Sequence, residues 1–400
     1  MDRESFEQAR AQIGDVIHNT TLKYAQTFSN MSSSSIYLKY ENRQKTGSFK
    51  VRGAYNKIAK LIKHQAAPAV IASSAGNHAQ GVAFAASALG ITSTIVMPKS
   101  TPIAKVAATE QYGANVVLYG DCYDDAYGKA MEIQAQTGAV FIHPFDDEDV
   151  IAGQGTIGLE ILRDLPDVDV VILPAGGGGL LAGVATCVKQ INPKVKIIGV
   201  QSNAADAIVQ SFCRSKYTCT ERAMTIADGI AVKNPGQLTV SLIQEYVDQM
   251  VTVSDAEIAA AILLLLERDK QVVEPAGAAA LAAILSHRID LSGQKVACIL
   301  SGGNIDVSFI HKIVEKGLVT RGRQLKLKTV MLDIPGSLEN FAAIASKCGA
   351  NIIMVQHDRL HADLNLNEAI LHVAFEVSSP KHGNELVKAL EENGYCITIE

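Results

Sequence analysis

The sequence predicts an α/β protein with mostly parallel sheets, followed by a separate C-terminal βαββαβ domain. From about residue 36 to 310, short β-branched runs are each followed by a small-residue or glycine-rich turn and then a helical pattern. Several of these runs are apolar throughout, which is typical of parallel strands buried on both faces. Since one hydrophobic core rarely organises more than about 250 to 300 residues, the 400 residues predict two or three domains.

Six strands are predicted before the tail, and their carboxyl ends indicate where a site should lie. They are expected at residues 69–72, 93–97, 115–119, 168–173, 196–200 and 295–300. In parallel sheets, ligands bind in the loops that follow the strands, because helix N-termini converge there. The loops to search are therefore residues 73–80, 175–180 and 301–306.

The tail has a different pattern from the rest of the chain. Strands are predicted at residues 325–334, 351–358, 368–377 and 396–400, and helices at 338–348 and 384–393. The order βαββαβ describes a ferredoxin-like split βαβ sandwich. We therefore predict one domain over residues 1–320 and a second over residues 327–400.

The composition excludes several classes of partner. A net charge of -5, with 19% charged and 48% hydrophobic residues, leaves no basic surplus for nucleic acid or a membrane surface. No apolar run reaches the roughly 20 residues that span a bilayer, and the N-terminus lacks the apolar core of a signal peptide. Seven cysteines without a CxxC pair suit a reducing compartment better than a disulfide framework or a zinc site. We expect a cytoplasmic protein that acts on a small molecule.

A glycine loop after the strand at 168–173 predicts an anion site. It consists of Gly176, Gly177, Gly178 and Gly179 and leads into a helix from Leu180. Backbone amides and the helix dipole bind phosphate there, and the missing β-carbons permit close approach. A tight turn without ligand is one alternative. A dinucleotide site is another, through the GxGxxA spacing, but the next strand ends in Gln201 where an acidic residue should bind the ribose.

Lys50 is a candidate for covalent chemistry. It lies in the first turn of a helix predicted to run to about residue 64. The positive end of the helix dipole disfavours an ammonium group and so favours the neutral amine that a Schiff base requires. A lysine on a helix is far more often solvated, so only the context favours function: a reactive lysine and a phosphate loop are the two anchors that pyridoxal phosphate needs.

Two further loops carry polar side chains suited to such a cofactor. The first contains Ser74, Ala75, Gly76, Asn77 and His78, whose amides can receive a carboxylate, while Asn77 offers a neutral donor for a phenolate oxygen. His78 has the alternative of a hydrogen-bonded structural histidine. The second loop begins with Ser301, a hydroxyl that would leave a pyridine nitrogen unprotonated, or an ordinary strand-to-turn serine.

Five motifs together resemble those of threonine dehydratase. They are KTGSFKVRGA (45–54), SAGNHAQG (74–81), GGGGL (176–180), EPAGA (274–278) and SGGN (301–304). The resemblance implies the fold-type II architecture of pyridoxal-phosphate enzymes, with two open twisted sheets and a smaller subdomain at about 52–155. It implies a cofactor site made of Phe49, Lys50, Asn77, Gly176, Gly177, Gly178, Gly179, Leu180 and Ser301. It implies that Ser74, Ala75, Gly76, Asn77 and His78 hold the substrate carboxylate. For Glu274 two roles stay open: it could belong to the site, or it could order the helix that follows it.

The resemblance also implies the reaction and its control. The reaction is deamination of L-threonine to 2-oxobutanoate by β-elimination of water, with L-serine to pyruvate as a side activity. The tail resembles an ACT domain, with Asp333, Pro335 and Gly336 matching its first turn. This implies a feedback-regulated step towards isoleucine, with isoleucine or valine as effector, in a dimer or tetramer.

Three other functions stay open. A serine dehydratase or a serine racemase would share these motifs, but racemases of this family carry a serine where this chain has Ala75. They also carry metal-binding carboxylates where this chain has Gln201 and Ala207, so we expect no metal. A catalytically inactive amino-acid sensor is the alternative from another class, and the intact Lys50 and Asn77 argue against it.

Overall fold

The computed structural model describes residues 1–64, 69–362 and 364–400. It divides into two compact units, Met1–Ile305 and Asp306–Glu400. The second unit begins with a helix and so starts before residue 327, where the sequence places the start of the tail domain. The first unit holds every motif that points to a cofactor.

The first unit contains two sheets built from ten strands in its described residues. In chain order these are β1 (Leu22–Tyr24), β2 (Ser35–Lys39), β3 (Val70–Ser73), β4 (Ser93–Met97), β5 (Asn115–Leu118), β6 (Val140–Phe141), β7 (Val170–Pro174), β8 (Lys196–Ser202), β9 (Gln249–Val253) and β10 (Lys295–Ile299). The larger sheet has the order β1-β2-β10-β7-β8-β9, and the smaller has the order β5-β4-β3-β6. Only β1 pairs antiparallel among these described strands. The predicted class, with two mostly parallel sheets, is confirmed.

The helices of this unit cover the faces of the two sheets. They are α1 (Arg3–Ile13), α2 (Gln26–Ser32), α3 (Lys50–His64), α4 (Asn77–Ala88), α5 (Ile103–Gln111), α6 (Tyr123–Thr137), α7 (Glu148–Asp164), α8 (Gly179–Ile191), α9 (Ala207–Cys213), α10 (Gln237–Tyr246), α11 (Asp255–Leu264) and α12 (Pro275–Leu285). Helix α12 is apolar on all sides and almost wholly buried, as expected for a helix enclosed within a core. The central strands β3 and β7 are buried at every residue, which confirms the interpretation of their apolar runs.

Strands β1, β2, β6 and β9 were not among the predicted strands. Strand β1 has only 3 residues and β6 only 2, so neither can show an alternation of apolar and polar residues. Strand β9 is half-buried at an edge of the larger sheet, where the pattern of its side chains is weak. Their pairing is decided by the neighbouring strands and not by their own sequence.

The second unit follows the predicted order. After α13 (Val307–Thr320) come β11 (Gln324–Leu332), α14 (Ser337–Lys347), β12 (Asn351–Asp358), β13 (Glu368–Glu376), α15 (Pro380–Glu392) and β14 (Ile397–Ile399). The strands form one antiparallel sheet in the order β12-β13-β11-β14. Phe341, Phe375 and Leu386 are fully buried in its core. No helix in the described ranges of either unit is long and apolar enough to cross a bilayer.

Candidate active site

The loops that follow β3, β7 and β10 and the start of α3 lie together in the first unit. Lys50 is the first residue of α3, and its Nζ donates to the carbonyl of Pro144 at 2.9 Å. The next residue, Phe145, packs against the glycine loop. The backbone N–H of Phe49 donates to the carbonyl of Ser301 at 3.1 Å. The tertiary structure therefore gathers motifs from four separate parts of the chain around one lysine.

The side chain of Lys50 is half-buried, and its amine lies among protein atoms. Burial lowers the pKa of Lys50 to about 8, and the opposing attraction of Glu274 only partly restores it. The Nζ atom lies 5.3 Å from the centre of the Phe49 ring. The sequence attributed a lowered pKa to the helix dipole, whereas the structure makes burial the main cause. An amine of this kind is substantially neutral near pH 8 and can act as a nucleophile or a base.

The glycine loop is held tightly between β7 and α8. Gly178 has a φ of 98°, which only glycine adopts without strain, and it is the N-cap of α8. A β-carbon on Gly177 would lie 2.3 Å from the Phe145 ring, and one on Gly179 would lie 2.9 Å from the Phe145 backbone. The Thr239 hydroxyl donates to the carbonyl of Gly177 at 2.7 Å.

These contacts give the loop glycines a packing role as well as an anion-binding geometry. Gly176 also lies against backbone, since its β-carbon would be 3.0 Å from the carbonyl oxygen of Gly229. The first amides of α8, including that of the buried Leu180, have no partner within their own helix. The loop thus retains the donors that a phosphate group requires, at the positive end of the helix dipole.

The loop after β3 exposes backbone amides at a second helix N-terminus. Helix α4 begins at Asn77, and Gly76 acts as its N-cap. No side chain caps this terminus, and a β-carbon on Gly76 would meet nothing within 4 Å. The Ser74 hydroxyl accepts from the N–H of Gly76 at 3.3 Å. Next to Ala75, this open terminus can receive a carboxylate.

His78 is tied into the protein by its ring. Its Nε2 lies 2.9 Å from the carbonyl oxygen of Ile142, so this nitrogen carries the hydrogen and donates it. Burial, together with the nearby charge of Lys50, lowers the pKa of His78 to about 3. The side chain is therefore a neutral structural group, and a hydrogen bond donated to a substrate carboxylate would have to come from its backbone N–H.

Asn77 is linked to two residues from other motifs. Its Nδ2 donates to Oε1 of Glu274 at 2.7 Å, and its Oδ1 accepts from Nδ2 of Asn304 at 2.7 Å. Ser301 is buried two residues after the end of β10. The sequence had named Asn77 and Ser301 as candidates, left Glu274 open and assigned no role to Asn304.

Sequence reasoning missed the segment after β6 altogether. Pro144 and Phe145 approach Lys50 and the glycine loop, and Asp146 accepts from the N–H groups of Gln237 and Thr239 at 3.1 Å each. The available signal was the run HPFDD at residues 143–147, in which a proline and an aromatic residue precede two acidic residues.

A buried ion cluster anchors the helix that carries Lys50. Arg52 donates to both oxygens of Glu41 at 2.8 Å and to Glu160 at 2.6 and 3.0 Å. Lys39 donates to Glu160 at 2.5 Å, and Arg52 also reaches the Thr156 hydroxyl at 3.1 Å. All the charged groups are less than a tenth exposed. Helix α3 therefore cannot shift without breaking charge-assisted hydrogen bonds.

The residues present fit pyridoxal phosphate. The site offers a desolvated amine, a glycine loop at a helix N-terminus for a phosphate, and an amide and a hydroxyl for a heteroaromatic ring. Within residues 1–64, 69–362 and 364–400, no three His, Cys, Asp or Glu side chains come together as metal ligands.

Comparison with known proteins gives consistent likenesses. A family model described as pyridoxal-phosphate dependent enzyme matches residues 13–302. An L-threonine ammonia-lyase of Thermotoga maritima is 48% identical over 396 residues, which cover 99% of this chain and 98% of that protein. A catabolic L-threonine dehydratase of Escherichia coli is 47% identical over 308 residues, 76% of this chain and 94% of that protein. The solved structure of maize serine racemase is 35% identical, with a TM-score of 0.75 over 80% of this chain and 98% of that one.

The family model covers most of the first unit, including the lysine, the glycine loop and the serine around which the site is built. By this match and by its full-length relative, the chain belongs to the family of pyridoxal-phosphate dependent enzymes.

Proposed function

We propose that this protein deaminates L-threonine: the β-hydroxyl leaves as water, and the enamine that is released takes up a water and hydrolyses to ammonia and 2-oxobutanoate. L-serine to pyruvate would be a side activity. The observation that carries the proposal is the desolvated amine of Lys50, placed among the glycine loop, Asn77 and Ser301. The substrate is supported by the name of the full-length relative, an L-threonine ammonia-lyase.

Lys50 would act twice in this reaction. When bound, the cofactor supplies an acceptor for the electrons left behind as the α-proton departs. Lys50 would hold the cofactor covalently and, after release by the substrate amine, take the α-proton. A pKa of about 8, lowered by burial, suits a base that must gain and lose a proton in one cycle.

The remaining residues would bind and orient. The amides of Gly176 to Leu180 would hold the phosphate, Phe49 would flank the ring, and Ser301 would contact the ring nitrogen. A hydroxyl partner would leave that nitrogen unprotonated, and the ring would then be a weak electron acceptor. This would favour rapid elimination over transamination. The open terminus formed by Ser74, Ala75, Gly76, Asn77 and His78 would hold the substrate carboxylate through its amides.

Ala75 favours elimination over racemisation. The racemases of this family carry a serine at this position, where it supplies a proton to the opposite face of the substrate. A methyl group cannot supply one. Serine racemase is nonetheless the second candidate, because the maize enzyme is among the similar structures.

A product analysis tests the proposed function. Purified protein given L-threonine should release 2-oxobutanoate and ammonia in equal amounts, and L-serine should yield pyruvate with little D-serine. The bound cofactor should show a visible band that borohydride discharges. D-serine as the main product would establish the racemase instead. Absence of the band after reconstitution with pyridoxal phosphate would favour an amino-acid sensor.

We further propose that the second unit is an ACT-like regulatory domain. Supporting this are its βαββαβ order and its first turn, where Gly336 has a φ of 91° and Asp333 accepts from Arg359 at 2.9 Å.

The edge strand β12 exposes Ile353, Met354 and Val355. An exposed apolar edge favours pairing with another chain, so we infer that tails from two subunits pack together in a cytoplasmic homo-oligomer, a dimer or a tetramer. Isoleucine or valine would bind there, as feedback on isoleucine synthesis.

Truncation tests this regulation. A chain ending near residue 325 should keep the cofactor band and threonine deamination, because none of the proposed site residues lies beyond that point. Isoleucine or valine should inhibit the full-length enzyme. The coupling free energy between effector and substrate should be about 1–3 kcal/mol, which is roughly a 5- to 150-fold change in affinity. The truncated enzyme should not respond. Equal sensitivity of both forms, or none in the full chain with any branched-chain amino acid, would contradict the proposal.

A further inference from the structure

Glu274 has a role that the start of its helix does not explain. It is the N-cap residue of α12, where a carboxylate normally accepts from backbone N–H groups of the first turn. Its side chain makes no such bond. Instead, Oε1 accepts from Nδ2 of Asn77 at 2.7 Å. The side chain therefore serves the loop after β3 and does not order its own helix.

Asn77 bonds to two side chains, and this leaves one of its two amide N–H groups available for a third partner. An asparagine amide has one acceptor oxygen and two N–H groups. Oδ1 accepts from Nδ2 of Asn304, and one N–H donates to Glu274. The second N–H of Asn304 donates to the carbonyl of Thr46 at 2.7 Å, so Asn304 is itself held in one orientation. A flipped Asn77 would set its oxygen against the carboxylate of Glu274 and its NH₂ group against that of Asn304.

The carboxylate has space made for it. A β-carbon on Gly302 would lie 2.4 Å from Oε1 of Glu274 and 3.2 Å from Nδ2 of Asn77. The second residue of the SGGN motif is therefore a glycine because this hydrogen bond passes beside it. The fourth, Asn304, completes the same chain.

Glu274 is also sensitive to its surroundings. Burial raises the pKa of Glu274 to about 7, although the hydrogen bond from Asn77 and the charges of Lys105 and Lys50 lower it, and Asp228 adds to the rise. A carboxyl group at this depth is costly unless it is hydrogen-bonded. The presence of a buried carboxylate at this position therefore indicates that its hydrogen bond with Asn77 has a function.

We propose that Glu274 is a positioning residue that, together with Asn304, orients Asn77 so that its free N–H faces the 3′ oxygen of the cofactor. The inference rests on the proposed role of Asn77 in cofactor binding. In this role Glu274 acts through Asn77, although its charge also reaches the amine of Lys50.

The test is a double-mutant cycle read by cofactor spectrum and affinity. Asn77→Ala should shift the visible band of the bound cofactor, since that band depends on the hydrogen bond to the 3′ oxygen. Glu274→Ala should shift it in the same direction and weaken cofactor binding by roughly 5- to 30-fold, as expected for one lost hydrogen bond. The double variant should match Asn77→Ala alone, because the two residues act as a unit.

Two further variants separate positioning from general damage. Glu274→Gln keeps an acceptor oxygen and should recover most of the wild-type band. Glu257→Gln removes a carboxylate that instead caps α11, and should leave the band unchanged. Additive shifts in the cycle, or a Glu274→Ala spectrum identical to wild type, would overturn the inference. Loss of the borohydride-sensitive band in the wild type would instead count against the proposed function.

Discussion

Lys50→Ala should reduce threonine deamination by at least the roughly 10²- to 10⁴-fold that a general base contributes. The loss should exceed that of a simple base, because the same change removes covalent attachment of the cofactor. Binding through the phosphate group can persist, so the variant should still take up the cofactor without the borohydride-sensitive band. Turnover, the spectrum and the mass of the borohydride-treated protein measure these effects.

A matched lysine on the same helix supplies the control. Lys60 lies ten residues further along α3 and pairs with Asp149 at 2.7 Å near the surface. Lys60→Ala should therefore retain the band and near-normal turnover. Lys50→Ala should also keep a thermal unfolding temperature close to wild type, since the amine donates to the carbonyl of Pro144 and Glu274 keeps its hydrogen bond from Asn77. Near wild-type activity in Lys50→Ala would refute the assignment.

Arg52→Met should have the largest effect on stability. It removes the cation that pairs with both Glu41 and Glu160 and leaves Glu41 without its arginine in a fully buried position. Breaking a buried pair from one side costs about 3–5 kcal/mol, a large part of the roughly 5–15 kcal/mol that keeps a domain folded. Denaturant unfolding of the purified proteins measures the difference.

The pH dependence of this loss has a definite sign. Burial opposes ionisation of Glu41, but Arg52 and Lys39 outweigh it and hold the pKa of Glu41 below its usual value. This contribution to stability is present above the pKa of Glu41 in the unfolded chain and disappears as the pH falls through the folded value. The gap between wild type and Arg52→Met should therefore be widest near neutral pH and shrink below about pH 4.

Two comparisons make the stability prediction specific. Arg163→Met removes an exposed arginine paired with Asp164 and should change the free energy of unfolding by less than about 1 kcal/mol. The double variant Arg52→Met with Glu41→Met should lose less than the sum of its single changes, because it removes both members of the buried pair and leaves no unpaired Glu41. Additive losses would mean that the two residues do not form one cluster.

The sequence by itself determined the parts of this protein that depend on local geometry. Apolar runs bounded by small residues predicted β4 to the residue, and the βαββαβ order of the tail was also correct. Five motifs predicted the family and its cofactor. Lys50 could be named as a candidate because it begins a helix within the first of these motifs. Such signals can be found because strand alternation, helix starts and glycine turns each depend on neighbouring residues.

Only the tertiary structure decided which distant residues meet. Glu274 lies beside a proline at a helix start, and nothing near it in sequence indicates that it binds Asn77. The sequence also does not predict that Phe145 contacts the glycine loop, or that Glu41, Arg52 and Glu160 come together. These contacts depend on which strand ends the parallel sheets bring together, and that in turn depends on packing over the whole unit.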